Sequence, residues 1–145
     1  KLDSVSGFAP HQGIVAMAAE KEYCSVADIL GAAVAQMCAL GAHPADIRSA
    51  IGPGIGACCF EVGPEVVAAA EALLGAPLGT LVRPTAGDRA LLDLKRVNAL
   101  RLTQLGVPAE QIAVSDACTM CRPDVFWSHR ATDGRRGVQA AVITL

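Results

Sequence analysis

Residues 13–51 change pattern twice, and that change limits the folds open to the chain. The run at 13–19, GIVAMAA, is short, apolar and opened by glycine, which is the pattern of a buried strand. Val26, Ile29, Leu30, Ala33, Val34, Met37 and Cys38 then recur at the spacing of one helix face. Ser25 stands as an N-cap with Asp28 three residues on, and Gly41 supplies a stop. Residues 47–51 read as a second strand. Strand, helix and strand in this order require a sheet with a helix laid against it.

The alternation continues downstream. A loop of small residues runs over 52–59. Pro64 suits a first helical position, with Val66, Val67, Ala70 and Leu74 on one face. Residues 78–87 read as a strand remnant and a loop. Leu94, Val97, Leu100 and Leu105 mark a third helix, closed by Gly106 and Pro108, and 112–114 is a short strand. Residues 125–130 read as a strand, Asp133-Gly134 as a hairpin turn, and 138–145 (VQAAVITL) as the returning strand. The expectation is an α/β (α+β) fold over 1–145 as a single domain. It would have a mixed β-sheet flanked by helices, closing with a C-terminal β-hairpin.

Apolar residues make up 52% of the chain, yet they are dispersed, and no run approaches the ~20 needed to span a bilayer. A net charge of −2 offers no bulk attraction to nucleic acid or to an anionic membrane. With 3% aromatics, a single-strand stacking platform is also disfavoured. Residues 1–10 lack the order of a signal peptide. The six cysteines are Cys24, Cys38, Cys58, Cys59, Cys118 and Cys121. Cys38 falls inside a helical pattern, and Cys58 and Cys59 are adjacent, which suits disulfide geometry poorly. Reduced thiols and a cytoplasmic location are expected.

Three places could carry chemistry. The loop 52–59, GPGIGACC, could turn backbone N–H groups toward an anion, but it has neither dinucleotide nor P-loop spacing, and a plain tight loop is the favoured reading. Cys118 and Cys121 have the spacing of half a zinc site, but a closed site needs two more ligands, so no metal ligand is assigned. Ser128, His129 and Arg130 precede the predicted turn, and Arg135 and Arg136 follow it. On a strand Ser128 and Arg130 would share a face and His129 would take the other. The arginines could hold a phosphate or carboxylate, or could be a solvated hairpin tip. Asp116 stands at a strand end, where it could serve a site or cap a turn. Asp116, Cys118, Ser128, Arg130 and Arg135 are the substrate-binding candidates.

Three segments together resemble the laccase-domain family, known as multicopper polyphenol oxidases or zinc-dependent purine nucleoside phosphorylases. The stretch IGPGIGACCFEVGPEV from Ile51 is similar to its middle motif. GAHPADIR from Gly41 fits the approach to it, and DACTMCRPDVFWSHRATDGRRGVQAAVITL from Asp116 resembles the closing motif. The resemblance implies phosphorolysis of inosine or adenosine to free base and ribose 1-phosphate, in some members adenosine deamination, with purine nucleoside and phosphate as partners. It also implies zinc, held by two His and one Cys. Here the chain departs from the family: Ser4 stands at the Cys position and Ala19 at a His position, and the first His belongs upstream of Lys1. Ala131 and Val138 stand where arginines are usual. The chain is expected to lack the family's N-terminal segment. Two readings stay open: an enzyme whose zinc site is completed elsewhere, and a metal-free binding or structural subunit in a homo-oligomer or larger assembly.

Overall fold

The computed structural model describes residues 26–137 and residue 140. The strand expected at 13–19 lies outside these residues, and so does nearly all of the return strand at 138–145. Helix α1, Val26–Ala39, opens the described part. Strand β1, Ser49–Ile51, follows a 3₁₀ turn at Pro44–Asp46. That turn accepts Ile47 N–H on Pro44 O, and so moves the strand start past the expected residue 47. Then come β2 (Glu61–Val62), α2 (Pro64–Leu74), β3 (Val82–Pro84), β4 (Ala90–Leu92), α3 (Leu94–Gln104) and β5 (Ile112–Val114). Short 3₁₀ turns at Gly79–Leu81 and Ala109–Gln111 lead into β3 and β5.

Pro64 and Gly106 mark helix ends as expected, and Gly75 and Asp93 add caps that were not anticipated. Pro64 is the first residue of α2, and Gly75 closes it in the left-handed region at φ 65°. Asp93 caps α3 by accepting the Arg96 N–H at 3.0 Å. Gly106 ends that helix at φ 94°, and a Cβ there would lie 2.9 Å from Pro44 Cβ. Both the dihedral and the close approach therefore require glycine at this position.

The strands form two sheets. β1 and β5 pair in parallel, with Ser49 opposite Ile112, Ala50 opposite Ala113 and Ile51 opposite Val114. β4 is the centre of an antiparallel sheet, with β2 and β3 on its two sides. Helices with parallel and antiparallel strands make an α/β mixed fold. β2 and β4 were not anticipated from sequence; at two and three residues they are too short to show a period of two.

The expected strand at 125–130 is not one. Val125 and Phe126 both donate backbone N–H to Arg122 O, at 3.1 and 2.9 Å. Ser128 Oγ accepts the Ala131 N–H, and Thr132 Oγ1 donates to Ser128 O at 2.8 Å. These local bonds take the groups that a ladder would use. The turn at Asp133-Gly134 is present, with both residues at positive φ (48° and 84°) and Gly134 N–H on His129 O.

Two apolar clusters flank α3. Val62, Ala70, Leu74, Leu78, Leu92 and Val97 join α2 to the antiparallel sheet. Val34, Ile47, Leu102 and Val107 join α1 to the parallel pair. α3 contributes Val97 to the first and Leu102 to the second, so one helix belongs to both. Leu92 is fully buried and Leu40 is 79% exposed. Leu92→Ala should lower stability by about 2–5 kcal/mol in denaturant unfolding, and Leu40→Ala by no more than about 0.5 kcal/mol. Equal effects of the two substitutions would refute this placement of the core.

Candidate functional site

Because β1 and β5 run parallel, the loops that leave them emerge at the same end of the pair. Open α/β sheets build sites at such carboxyl ends. The pairing continues beyond the strands: Ser115 N–H donates to Ile51 O, Thr119 N–H to Gly54 O, and Gly54 bridges Cys118. From Ile51 to Gly54 is three steps, and from Val114 to Cys118 is four. The extra residue bulges the second loop. Lys95, only 9% exposed, holds the bulge from α3, donating to Ser115 O at 2.6 Å and Ala117 O at 3.1 Å.

This arrangement gathers four thiols. Cys58 and Cys59 end the first loop, Cys118 and Cys121 lie on the second, and their Sγ atoms all lie within 4.8 Å of one another. Cys121 Sγ is 3.6 Å from Cys58 Sγ and 3.5 Å from Cys59 Sγ. Cys118 is buried and its Sγ accepts the Gly56 N–H at 3.2 Å. Burial opposes ionisation of Cys118, but backbone donors from Gly56, Cys121 and Met120 outweigh it and lower its pKa from 9.0 to about 6. Cys59 is pushed up to about 12, first by its hydrogen bond with Cys121 and then by burial. Cys121 is also raised: its hydrogen bond with Cys59 favours the thiolate, but Cys58, Cys118 and burial together prevail.

The same loops also line a cleft of about 380 Å³. Ile55 and Phe60 come from the first loop and Thr119 from the second. The wall opposite is the turn region, through Trp127, Ser128, His129, Arg130, Arg136 and Gly137. The Arg130 guanidinium lies 5.4 Å from the Phe60 ring centre, and its Nη1 donates to Glu61 O at 2.9 Å. Arg136 Nε donates to His129 Nδ1 at 3.4 Å and its Nη1 to Gly137 O. Ser128 is buried in this wall at 4% exposure. The chemistry on offer is two guanidiniums and an imidazole beside aromatic surface. That combination suits an anion joined to a flat ring.

The candidates from sequence divide accordingly. Ser128 and Arg130 line the cleft. Cys118 lies among the thiols and does not line the cleft. Arg135 is exposed and is not part of the lining; its neighbour Arg136 is. Asp116 is exposed and borders a different hollow, with Arg96, Leu100 and Thr103 of α3. Sequence reasoning missed Phe60 and Thr119, and it treated the two cysteine pairs separately. The available signal was the pairing of β1 with β5, which brings the loops after both strands together.

The two-His, one-Cys zinc set implied by resemblance does not occur among the described residues. Positions 4 and 19 lie outside them. The metal-capable group within them is the four thiols, which includes neither His43 nor His129. The donors among the described residues thus do not fit that zinc site.

Residues 7–145 match the family model described as multi-copper polyphenol oxidoreductase laccase. The chain is 41% identical over 100 residues to the purine nucleoside phosphorylase YlmD of Geobacillus stearothermophilus, covering 69% of this chain and 36% of that protein. It is 38% identical over 118 residues to the adenosine deaminase RL5 of an unknown prokaryotic organism, covering 81% of this chain and 45% of that one. The crystal structure of YlmD from Geobacillus stearothermophilus superposes with a TM-score of 0.68 at 38% identity, covering 75% of this chain and 41% of that chain. The chain thus spans less than half the length of each of these relatives.

The cleft wall has a built-in reporter. Trp127 is the chain's one tryptophan, and a Cβ at Gly137 would lie 2.9 Å from its indole ring. Gly137→Ala should displace the indole and shift its fluorescence emission, with far-ultraviolet circular dichroism unchanged. An unaltered emission spectrum would contradict this packing.

Proposed function

We propose, for a chain that belongs to the multi-copper polyphenol oxidoreductase laccase family, that its cleft takes part in cleaving purine nucleosides with inorganic phosphate. The observation that carries the reading is Arg130, a cation fixed between the Phe60 face and Glu61 O in a cleft that also holds Arg136 and His129. The names of the relatives, purine nucleoside phosphorylase among them, support the same reaction class.

In that reaction a phosphate oxygen bonds to the anomeric carbon while the carbon–nitrogen bond to the base breaks. The base leaves with the bonding pair and takes up a proton, giving free base and ribose 1-phosphate. Arg130 and Arg136 would carry the phosphate charge and hold it near the sugar. Phe60 and Trp127 would provide flat apolar surface for the purine. The name of RL5 supports adenosine deamination as a second activity of the same cleft. A helix long and apolar enough to cross a membrane is absent among the described residues, and Cys38, Cys58, Cys59, Cys118 and Cys121 are free thiols. The free thiols support a reducing setting, and with it a cytoplasmic location.

A second reading rests on Ser4 and Ala19, which stand where the family resemblance places zinc ligands. It makes the chain a binding or structural subunit that has kept the cleft. The two readings are separated by giving the purified protein inosine or adenosine, with and without phosphate and with and without zinc. We expect phosphate-dependent release of free base with matching ribose 1-phosphate. Arg130→Ala should lower kcat/KM by about 100-fold, on the scale of a lost electrostatic stabiliser, and Arg130→Lys should fall between. Absence of base release under every condition would leave the non-catalytic reading in place.

A further inference from the structure

We propose that Cys58, Cys59, Cys118 and Cys121 form a four-thiolate site for a single zinc-class ion, separate from the cleft and from any His-containing zinc site. Independently of whether the cleft is catalytic, this site would fasten the two loops that follow β1 and β5.

The geometry is close to what such a site needs. With zinc–sulfur bonds of about 2.3 Å, the sulfurs of a tetrahedral site stand about 3.8 Å apart. Two of the pairs here stand at 3.5 and 3.6 Å, and no pair exceeds 4.8 Å. A movement of about 1 Å in the widest pair would complete the tetrahedron. A disulfide would instead need sulfurs at about 2.0 Å, and it would join only two of the four. The backbone is shaped around the sulfurs as well. A Cβ at Gly56 would stand 3.3 Å from Cys58 Sγ and 3.5 Å from Cys118 Sγ, so the chain passes too close to them for a larger residue to sit at ease. Gly56 N–H also donates to Cys118 Sγ, the kind of outer hydrogen bond that orients a metal-bound thiolate.

The donor set decides the ion. Four sulfurs without carboxylate or imidazole select a soft or borderline ion, and they exclude calcium and magnesium. Four protein ligands leave no open position, so the site is structural and not catalytic. Cys58 and Cys121 are exposed, which gives the ion a path in. Binding exchanges thiol protons for the ion, so proton release accompanies it. The joined loops supply Ile55, Phe60 and Thr119 to the cleft, so the ion would stiffen one wall of it without touching a ligand there.

The test uses the full chain, reduced and stripped of metal, titrated with zinc alone against a chromophoric chelator and with cobalt(II) in parallel. One equivalent of zinc should bind, and the cobalt form should show strong thiolate-to-metal absorption of tetrahedral type. Cys58→Ser and Cys121→Ser should each weaken zinc binding at least 10-fold, whereas Cys38→Ala, on α1, should leave it unchanged. Circular dichroism of each variant establishes that it has folded, and Cys59→Ser serves as the substitute if one has not. Zinc binding of undiminished strength in the Cys58→Ser, Cys121→Ser double variant would place the ion elsewhere and overturn the proposal. So would the absence of bound zinc in the reduced chain, or a disulfide to Cys121 that persists with zinc and reductant present.

Discussion

The parallel pairing of β1 with β5 is the contact on which the rest of the molecule depends. It joins segments more than sixty residues apart, with Ser49 set against Ile112. Everything from the antiparallel sheet to α3 lies between them in the chain. Such a pairing gains little from three residues of ladder alone. It is held by what it lies against: Ile47, Ile51 and Ile112 pack with Val34, Leu102 and Val107. Once it forms, the two following loops have no choice of neighbour. Gly54 meets Cys118, and four thiols and one side of the cleft follow from that single register.

Helix α3 makes the register affordable in energy, because it is shared. Val97 is committed to the core under the antiparallel sheet, and Leu102 to the core under the parallel pair. Lys95, two residues before Val97, reaches the carbonyls of Ser115 and Ala117. A buried ammonium is costly unless its donors are satisfied. Here two backbone acceptors take two of its three donors and, in return, fix a bulge that would otherwise leave its carbonyls unpaired. The same helix therefore sets the distance between the cores and the course of the second loop. Sliding α3 by one residue would disturb both at once, which is why its two ends are so firmly marked by Asp93 and Gly106.

The sequence was most legible where a single local rule decides. Helices α1, α2 and α3 follow from periodicity, with Pro64 opening α2 and Gly106 closing α3, and β5 from a short apolar run ahead of Asp116. The family was legible in three segments, from Gly41, around Gly54 and around Arg130, because they combine unusual residues in fixed order. What failed did so for identifiable reasons. β2 and β4 are too short to display alternation. Residues 125–130 carry Val, Phe and Trp, which favour strands, but Arg122 O and the hydroxyls of Ser128 and Thr132 offer the backbone local partners that prevail. The thiol cluster was hidden because its pairs are 62 and 63 residues apart, so only the register of β1 on β5 unites them.

The replacement of a strand by a turn at 125–130 also alters what that segment can do. A strand would have sent Ser128 and Arg130 to one face and His129 to the other, so no more than half of the group could have faced a ligand. The turn, closed by Gly134 N–H on His129 O and by Thr132 on Ser128 O, brings Trp127, Ser128, His129 and Arg130 to one cleft. Arg130 then reaches across to Glu61 O and the Phe60 face, and so ties the turn to the antiparallel sheet. That bond uses one of the five guanidinium donors and fixes the plane of the rest. A cation fixed by its own scaffold requires less reorganisation when an anion arrives than one on a free side chain. The cleft thus has one wall ordered by Arg130 and another supplied by the loops that carry the thiols. Its shape is set by contacts on both sides before any ligand enters.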